Sequence, residues 1–411
     1  MGVRPGYKQT EAGVIPDNWS RKEVRELGAV VTGGTPSTRR AEYWNGAYPW
    51  ITPTDIASRR DLYESERMIS DAGLRAVRAL PPNTVLVTCI ASIGKNAILR
   101  TLGASNQQIN AVIPDESNDV DFLFYMFEAA KNYLVASAGT TATSMVSKAA
   151  FQKLKFGIPP LQEQRAIAEA LSDVDALLSG LDRLVAKKRD LKQATMQQLL
   201  TGQTRLPGFH GEWEKTRLKQ VAEISAGINK PLGEMGSGTL YVTVQDLYDG
   251  TSIRTERLSR IRVSPSEMEG RSLSVGDIVF GKSSVKREGI GYPSRFVGAI
   301  EPVVFSGFTY RARARTRVAD ALFLFYGLRA EKSRRWVIDN AQASALTNIN
   351  QAIADAIPVM LPPSVDEQAA IAQVLSDMDA ELAALEARRE KTRQLKQGMM
   401  QELLTGRTRL V

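Results

Sequence analysis

The chain carries one cysteine, Cys89, and one histidine, His210. A single thiol closes no intrachain disulfide and builds no multi-cysteine metal site, and a single imidazole cannot supply a His-pair zinc site. A Ser-His-Asp triad would have to run through His210, in the turn-like stretch Pro207-Gly208-Phe209-His210-Gly211. Gly94-Lys95 has the outline of a phosphate loop, but Asn96 stands where that motif needs Ser or Thr. Gly236-Ser237-Gly238 and Gly289-Ile290-Gly291 are isolated and open no helix of a strand-helix-strand unit. No Asn-Pro-Pro-Tyr-like or Asp-Pro-Pro-Tyr-like tetrad marks an amino-methyltransferase site. Asp190-Leu191-Lys192 has the Asp-x-Lys spacing of a metal nuclease. It lies inside a long helical pattern, however, and recurs as Gln394-Leu395-Lys396 without the carboxylate. The chain is therefore expected to catalyse no reaction and to hold no metal or cofactor of its own.

Binding chemistry is better represented. Among 411 residues, 53 Lys and Arg against 45 Asp and Glu give a net charge of +8 and a pI of about 9.4, a balance that favours polyanionic partners. Arg311, Arg313, Arg315 and Arg317 alternate with Ala312, Ala314, Thr316 and Val318. At strand period two the four guanidinium groups share one face at intervals of about 6.6 Å, a spacing suited to a phosphate backbone. Thr35, Ser37, Arg39 and Arg40 form one basic, hydroxyl-rich loop, and Lys282, Ser283, Ser284, Lys286 and Arg287 form another. Such loops hold phosphates and reach base edges. Lys95 adds a turn cation, while Gln107, Gln108 and Asn110 supply amides suited to bidentate adenine readout.

The elements that position these residues come in duplicate. Glu163 to Leu206 aligns with Glu367 to Leu410 without a gap, and roughly 25 of the 44 positions are identical. Both copies open as EQ-x-x-IA-x-x-LSD-x-DA and close as LKQ-x-x-MQ-x-LLTG-x-TRL, and each follows a proline pair, Pro159-Pro160 or Pro362-Pro363. Ile167, Leu171, Val174, Leu178, Leu181 and Val185 step by four and three, as do Ile371, Leu375, Met378, Leu382 and Leu385. That is the seam of a coiled coil on a helix of about 40 residues and roughly 60 Å. Gly202 and Gly406 follow the last apolar residues, where a left-handed cap is wanted. Before each helix, β-branched runs bounded by Pro, Gly, Asn and Asp predict short strands, followed by aromatic helices near Phe122 to Leu134 and Leu322 to Trp336. The expected fold is α+β, with two tandem globular domains each followed by a long helix. The two helices would pair as an antiparallel coiled coil with pseudo-twofold symmetry. The segments are 1–160, 161–203, 204–361 and 362–411. The loops differ between the halves, so one scaffold carries two different readers.

This architecture resembles the DNA-specificity subunit of type I restriction-modification systems. The resemblance covers the whole chain and rests on the helix starts Ile158 to Gln164 and Leu361 to Gln368. It also rests on the two LLTG-x-TRL ends and on the stretch Leu206-Pro207-Gly208-Phe209-His210-Gly211-Glu212-Trp213 that opens the second half. It implies two target-recognition domains, each reading one half of a bipartite asymmetric site on double-stranded DNA. It further implies helices that space those domains and dock two DNA adenine methyltransferase subunits, with ATP-dependent restriction subunits joining the complex. S-adenosylmethionine, Mg and ATP would belong to those partners. Two alternatives stay open at this level: a specificity module of a type II system with a fused nuclease-methylase partner, and a coiled-coil adaptor for two proteins. No apolar run reaches the length of a membrane span and the start lacks a signal-peptide core, so a cytoplasmic chain is expected.

Overall fold

Each proline pair ends a short strand and releases a long helix. Lys155–Ile158 precedes the helix Leu161–Leu199, and Pro358–Leu361 precedes the helix Val365–Leu403. Proline lacks the amide a strand ladder needs, yet it is tolerated in the first helical turn, so the break falls there. Past the helix ends, Gly202 and Gly406 sit at φ +71° and +69°, the left-handed conformation that the cap requires. The computed structural model describes all residues except 1–4, 12, 57–58, 139–143, 249, 344–345 and 411, so the first four residues of the N-terminal stretch lie outside it. Among the described residues no helix is long and apolar enough to cross a membrane.

The contacts divide the chain into two units, Met1–Asp182 with Ala387–Val411, and Arg183–Glu386. The division passes through both long helices. Each unit thus holds the beginning of one long helix and the end of the other.

In the first unit a five-stranded sheet runs in the order Gly28–Thr32, Ile109–Pro114, Thr84–Thr88, Asn96–Leu99, Asp61–Leu62. Every residue of Thr84–Thr88 and Asn96–Leu99 is buried, because both faces of the sheet are covered. One face packs against Phe122, Leu123, Phe127 and the helix residues Ile167 and Leu171, while Leu86, Ala97 and Leu99 face Ile51, Ile56 and Leu80. A three-stranded sheet, Ala104–Ser105, Trp44–Ile51, Met68–Ile69, completes the unit.

The second unit repeats the plan. Ala222–Ala226, Thr309–Ala314, Ile278–Gly281 and Pro293–Arg295 form a sheet, and Ser259–Ile261, Met235–Val242 and Val303–Phe305 form the smaller one. Even the parallel pairing recurs, Ile51 opposite Ser105 and Val242 opposite Phe305.

Within each unit the two helix segments run antiparallel. Asp175 pairs with Lys396 (2.7 Å) and Asp182 with Arg389 (3.1 Å), so numbers fall on one helix as they rise on the other. In the second unit Lys188 pairs with Glu381 (2.6 Å), Lys192 with Asp379, and Arg189 with Glu386. Lys192 of the Asp-x-Lys stretch is thereby an interhelical partner. Asp175 and Asp379 each also accept a tyrosine hydroxyl at 2.7 Å, from Tyr125 and Tyr326, which ties the helices to the globular domains. The first seam residues go into the globular cores: Ile167 and Leu171 cluster with Leu403, and Ile371 and Leu375 with Leu199 and Leu200.

The repeated Glu-Gln pair has a distinct task for each side chain. Gln164 accepts from the Asp119 amide (2.8 Å) and donates to the Pro159 and Ser117 carbonyls. Gln368 does the same with Asp320 (2.8 Å), Pro362 and Val318. Asp119 and Asp320 are the N-caps of the aromatic helices Val120–Ala129 and Ala321–Arg329. Glu163 accepts two hydrogen bonds from Arg409 (2.6 and 2.8 Å), and Glu367 two from Arg205 (2.6 and 2.7 Å). The start of each repeat is clamped by the Thr-Arg-Leu end of the other.

Candidate nucleic-acid interface

The first unit gathers its loop residues at one end of its sheet. The chain leaves the strand Gly28–Thr32 into the Thr35 to Arg40 loop, which two indoles pin. Trp50 Nε1 donates to the Gly34 carbonyl (2.9 Å) and Trp44 Nε1 to the Ser37 carbonyl (3.2 Å). Thr35 Oγ1 donates to Gln107 Oε1 (2.7 Å), joining this loop to the turn between the strands Ala104–Ser105 and Ile109–Pro114. Arg40 donates to the Tyr43 hydroxyl (2.8 Å), and Thr35, Ser37, Arg39, Arg40, Lys95 and Gln107 are exposed.

Two cations join this surface that the sequence did not single out. Arg67 lies 3.8 Å from the Trp44 ring centroid, and Arg78 donates to the Thr32 carbonyl (3.0 Å). Arg67 follows Glu66 and Arg78 lies three residues past the short helix Asp71–Arg75, so spacing alone gave no signal. Only the two tryptophans, which stack edge to face at 5.2 Å, mark the place.

The amides divide differently from expectation. Asn110 is 1% exposed, and its carbonyl oxygen accepts from Thr32 Oγ1 (2.8 Å). It is a sheet residue, unable to read a base, because period two turns it into the core. Gln108 is half-buried, accepting from Asn106 Nδ2 (3.0 Å). Cys89 donates to the Gln108 carbonyl, and burial pushes its thiol up to about 11, which disfavours a nucleophilic thiolate.

In the second unit Lys282 enters the corresponding loop. Its ammonium sits 4.4 Å from the Tyr310 ring centroid, and burial pushes its pKa down. Ser283 and Ser284 are half-buried and pair with Asn348 and Thr347, with Ser284 Oγ donating to the Lys286 carbonyl (2.7 Å). Lys286 and Arg287 are exposed.

The arginine ridge is not a free face. The strand Thr309–Ala314 ends before Arg315, so the four residues share no single face. Arg311 is 1% exposed and donates to the Gly270 (3.0 Å) and Ser272 (3.2 Å) carbonyls and to Glu223 (3.2 Å). Arg313 forks onto the buried Asp277 carboxylate (2.8 and 2.7 Å), which pushes the pKa of its guanidinium up. The anions that relieve the repulsion come from neighbouring elements, at positions remote in sequence. Arg315 and Arg317 are exposed, at the opposite end of the strand from the Lys282 loop. Arg311→Ala is therefore expected to act on stability. Removing it empties the volume of one of the largest fully buried side chains and takes a donor from the Gly270 and Ser272 carbonyls, costs about 2–3 kcal/mol and lowers the melting midpoint by several degrees. The salt dependence of DNA binding should stay unchanged, and differential scanning calorimetry beside filter binding checks both.

Among the described residues no His, Cys, Asp and Glu side chains group so as to hold a metal ion. The corresponding loops in each unit instead offer cations, hydroxyls and amides, which is the chemistry of phosphate and base contacts.

A sequence profile described as the type I restriction modification DNA specificity domain matches residues 16–185 and again 210–396. The chain is 28% identical to the type I restriction enzyme MjaIX specificity subunit of Methanocaldococcus jannaschii over 61% of this chain, a match spanning 62% of that subunit. It is 23% identical to the MjaVIII specificity subunit of the same organism, over 98% of this chain and 96% of that one. The crystal structure of the type I restriction-modification S subunit from M. genitalium superposes with a TM-score of 0.59 at 15% identity, covering 97% of this chain and 98% of that one. The match on both halves accounts for the duplicated scaffold: this chain belongs to the type I restriction-modification DNA specificity family and carries two copies of its domain.

Proposed function

We propose that this chain is the sequence-specific DNA-recognition subunit of a type I restriction-modification complex. Each globular domain reads one half of a bipartite asymmetric site, and the long helices space the domains and dock two DNA adenine methyltransferase subunits. The chain itself is non-catalytic. S-adenosylmethionine, Mg and ATP act on the methyltransferase and ATP-dependent restriction subunits, and the complex works in the cytoplasm. The observation that carries this reading is that both units place a cationic, hydroxyl-bearing loop cluster at the same strand end of corresponding sheets, with different side chains in each. One backbone with two chemistries suits two different half-sites. Filter binding of random duplex DNA at low and high salt tests the first step. Affinity should fall steeply with salt, and absence of binding at low salt would contradict the proposal.

The docking faces are open to a separate test. Arg165, Glu169 and Lys187 on the first long helix, and Ala369, Gln373 and Lys391 on the second, are exposed. Lys187→Glu combined with Lys391→Glu is expected to weaken assembly with the methyltransferase, seen as dissociation on size exclusion. An intact complex would assign these faces to solvent.

A further inference from the structure

The most exposed aromatic ring in the second unit's loop cluster lies outside the unit's buried hydrophobic cores. Phe308 is 62% exposed, at the turn joining the strands Val303–Phe305 and Thr309–Ala314. Its backbone is held from every side. The Phe308 amide donates to Ser306 Oγ (3.2 Å), and its carbonyl accepts from the Lys282 amide (2.8 Å). Gly307 donates to the Ile228 carbonyl (2.9 Å), and the Thr309 amide and hydroxyl both donate to the Ser306 carbonyl (2.8 and 2.7 Å). A rigid turn that presents an apolar ring to water is preorganised for a contact outside the unit.

The same turn recurs in the first unit, with three backbone bonds in common. Asn106 donates to Ile51 as Ser306 does to Val242, Ile109 to Asn106 as Thr309 to Ser306, and Cys89 to the Gln108 carbonyl as Lys282 to that of Phe308. Gln108 thus occupies the backbone position of Phe308, and its amide is also held by the residue two before it, Asn106 Oδ1 at 3.0 Å. At one place in the scaffold the first unit carries an amide and the second a phenyl ring, beside the loop cations in both cases. Polar and apolar side chains at one position read different base edges. The C5-methyl of thymine is the one apolar group on the major-groove edges, and Phe is among the residues that meet it.

We infer that Phe308 is a base-contacting, specificity-determining residue that packs its ring on a thymine methyl group in the half-site read by the second unit. The inference rests on the DNA-recognition reading above.

The test uses the complex with its methyltransferase and a duplex carrying the motif found by methylation mapping. Each thymine of the motif is replaced in turn by deoxyuridine, which removes only the methyl group. The wild-type complex should lose about fourfold in affinity at one thymine, the worth of one buried methyl. Phe308→Ala should bind the thymine and uracil duplexes equally, and its methylome should relax at that position with the other half-site unchanged. Phe308→Leu, which keeps an apolar surface, should retain part of the discrimination. Indifference of the wild type to every uracil, a motif without thymine, or unchanged discrimination in Phe308→Ala would each overturn the inference. A wild-type complex that does not prefer its motif to random duplex removes the recognition reading itself, and that result is seen before any variant is made.

Discussion

Glu163→Ala should lower the stability of the first unit by about 2–4 kcal/mol, because it removes a buried acceptor that three donors share. Arg409 donates twice to this carboxylate and Trp19 Nε1 once, at 3.0 Å. Glu367→Ala is expected to cost the second unit less, by about 1 kcal/mol or more. Glu367 receives the same fork from Arg205, but Trp213 Nε1 is buried without a partner, so only the guanidinium loses an acceptor, and it keeps the His210 and Gly211 carbonyls. Hydrogen exchange resolved to peptides separates the two units. Loss of protection in Ile109–Pro114 should exceed that in Thr309–Ala314 for the paired variants. Equal losses would mean that the indole bond contributes nothing.

This clamp also marks how far the sequence was legible. The repeat showed that Glu-Gln starts and Thr-Arg-Leu ends belong together, since both recur intact at one offset. The helix bounds followed from proline pairs and glycine caps, where local rules dominate. That the start of one copy binds the end of the other was not legible. Glu163 and Arg409 lie 246 residues apart, and only the antiparallel helix segments bring them together. The deep seam residues illustrate the same limit. Ile167 and Leu171 have coiled-coil spacing, but the sequence does not say that their knobs enter a sheet-covering core.

Removing loop charge should produce the largest effect on binding. Replacing Arg39, Lys95, Lys286 and Arg287 with alanine is expected to reduce the log–log salt slope by up to about 0.9 per charge. Extrapolated from 1 M salt, that is up to about a thousandfold in affinity at 0.15 M. All four side chains are exposed, so stability should change little. An unchanged slope would place these loops away from the phosphates.

Among the described residues these four side chains are free where two of the ridge arginines are not. Alternation correctly put Arg311 and Arg313 on a strand, but it could not reveal Glu223 and Asp277, whose carboxylates neutralise them from neighbouring strands and turns. Asn110 failed for a related reason. An amide one residue past a turn looks available in sequence, whereas strand pairing with Thr32 turns it inward. The loop cations Arg39, Lys95, Lys286 and Arg287 are exposed because loops keep long polar side chains in water. Phe308 is not legible in the sequence, since an isolated phenylalanine beside a strand reads as core, whereas the ring is 62% exposed.

The central claim is that two units of one chain read two different half-sites for a methyltransferase. Adenine methylation mapped genome-wide, in cells expressing this chain with its candidate methyltransferase, tests it most directly. The account predicts one bipartite motif, with two unlike half-sites separated by a fixed gap of unspecified bases. A single continuous motif, two identical half-sites, or no methylation dependent on this chain would contradict it.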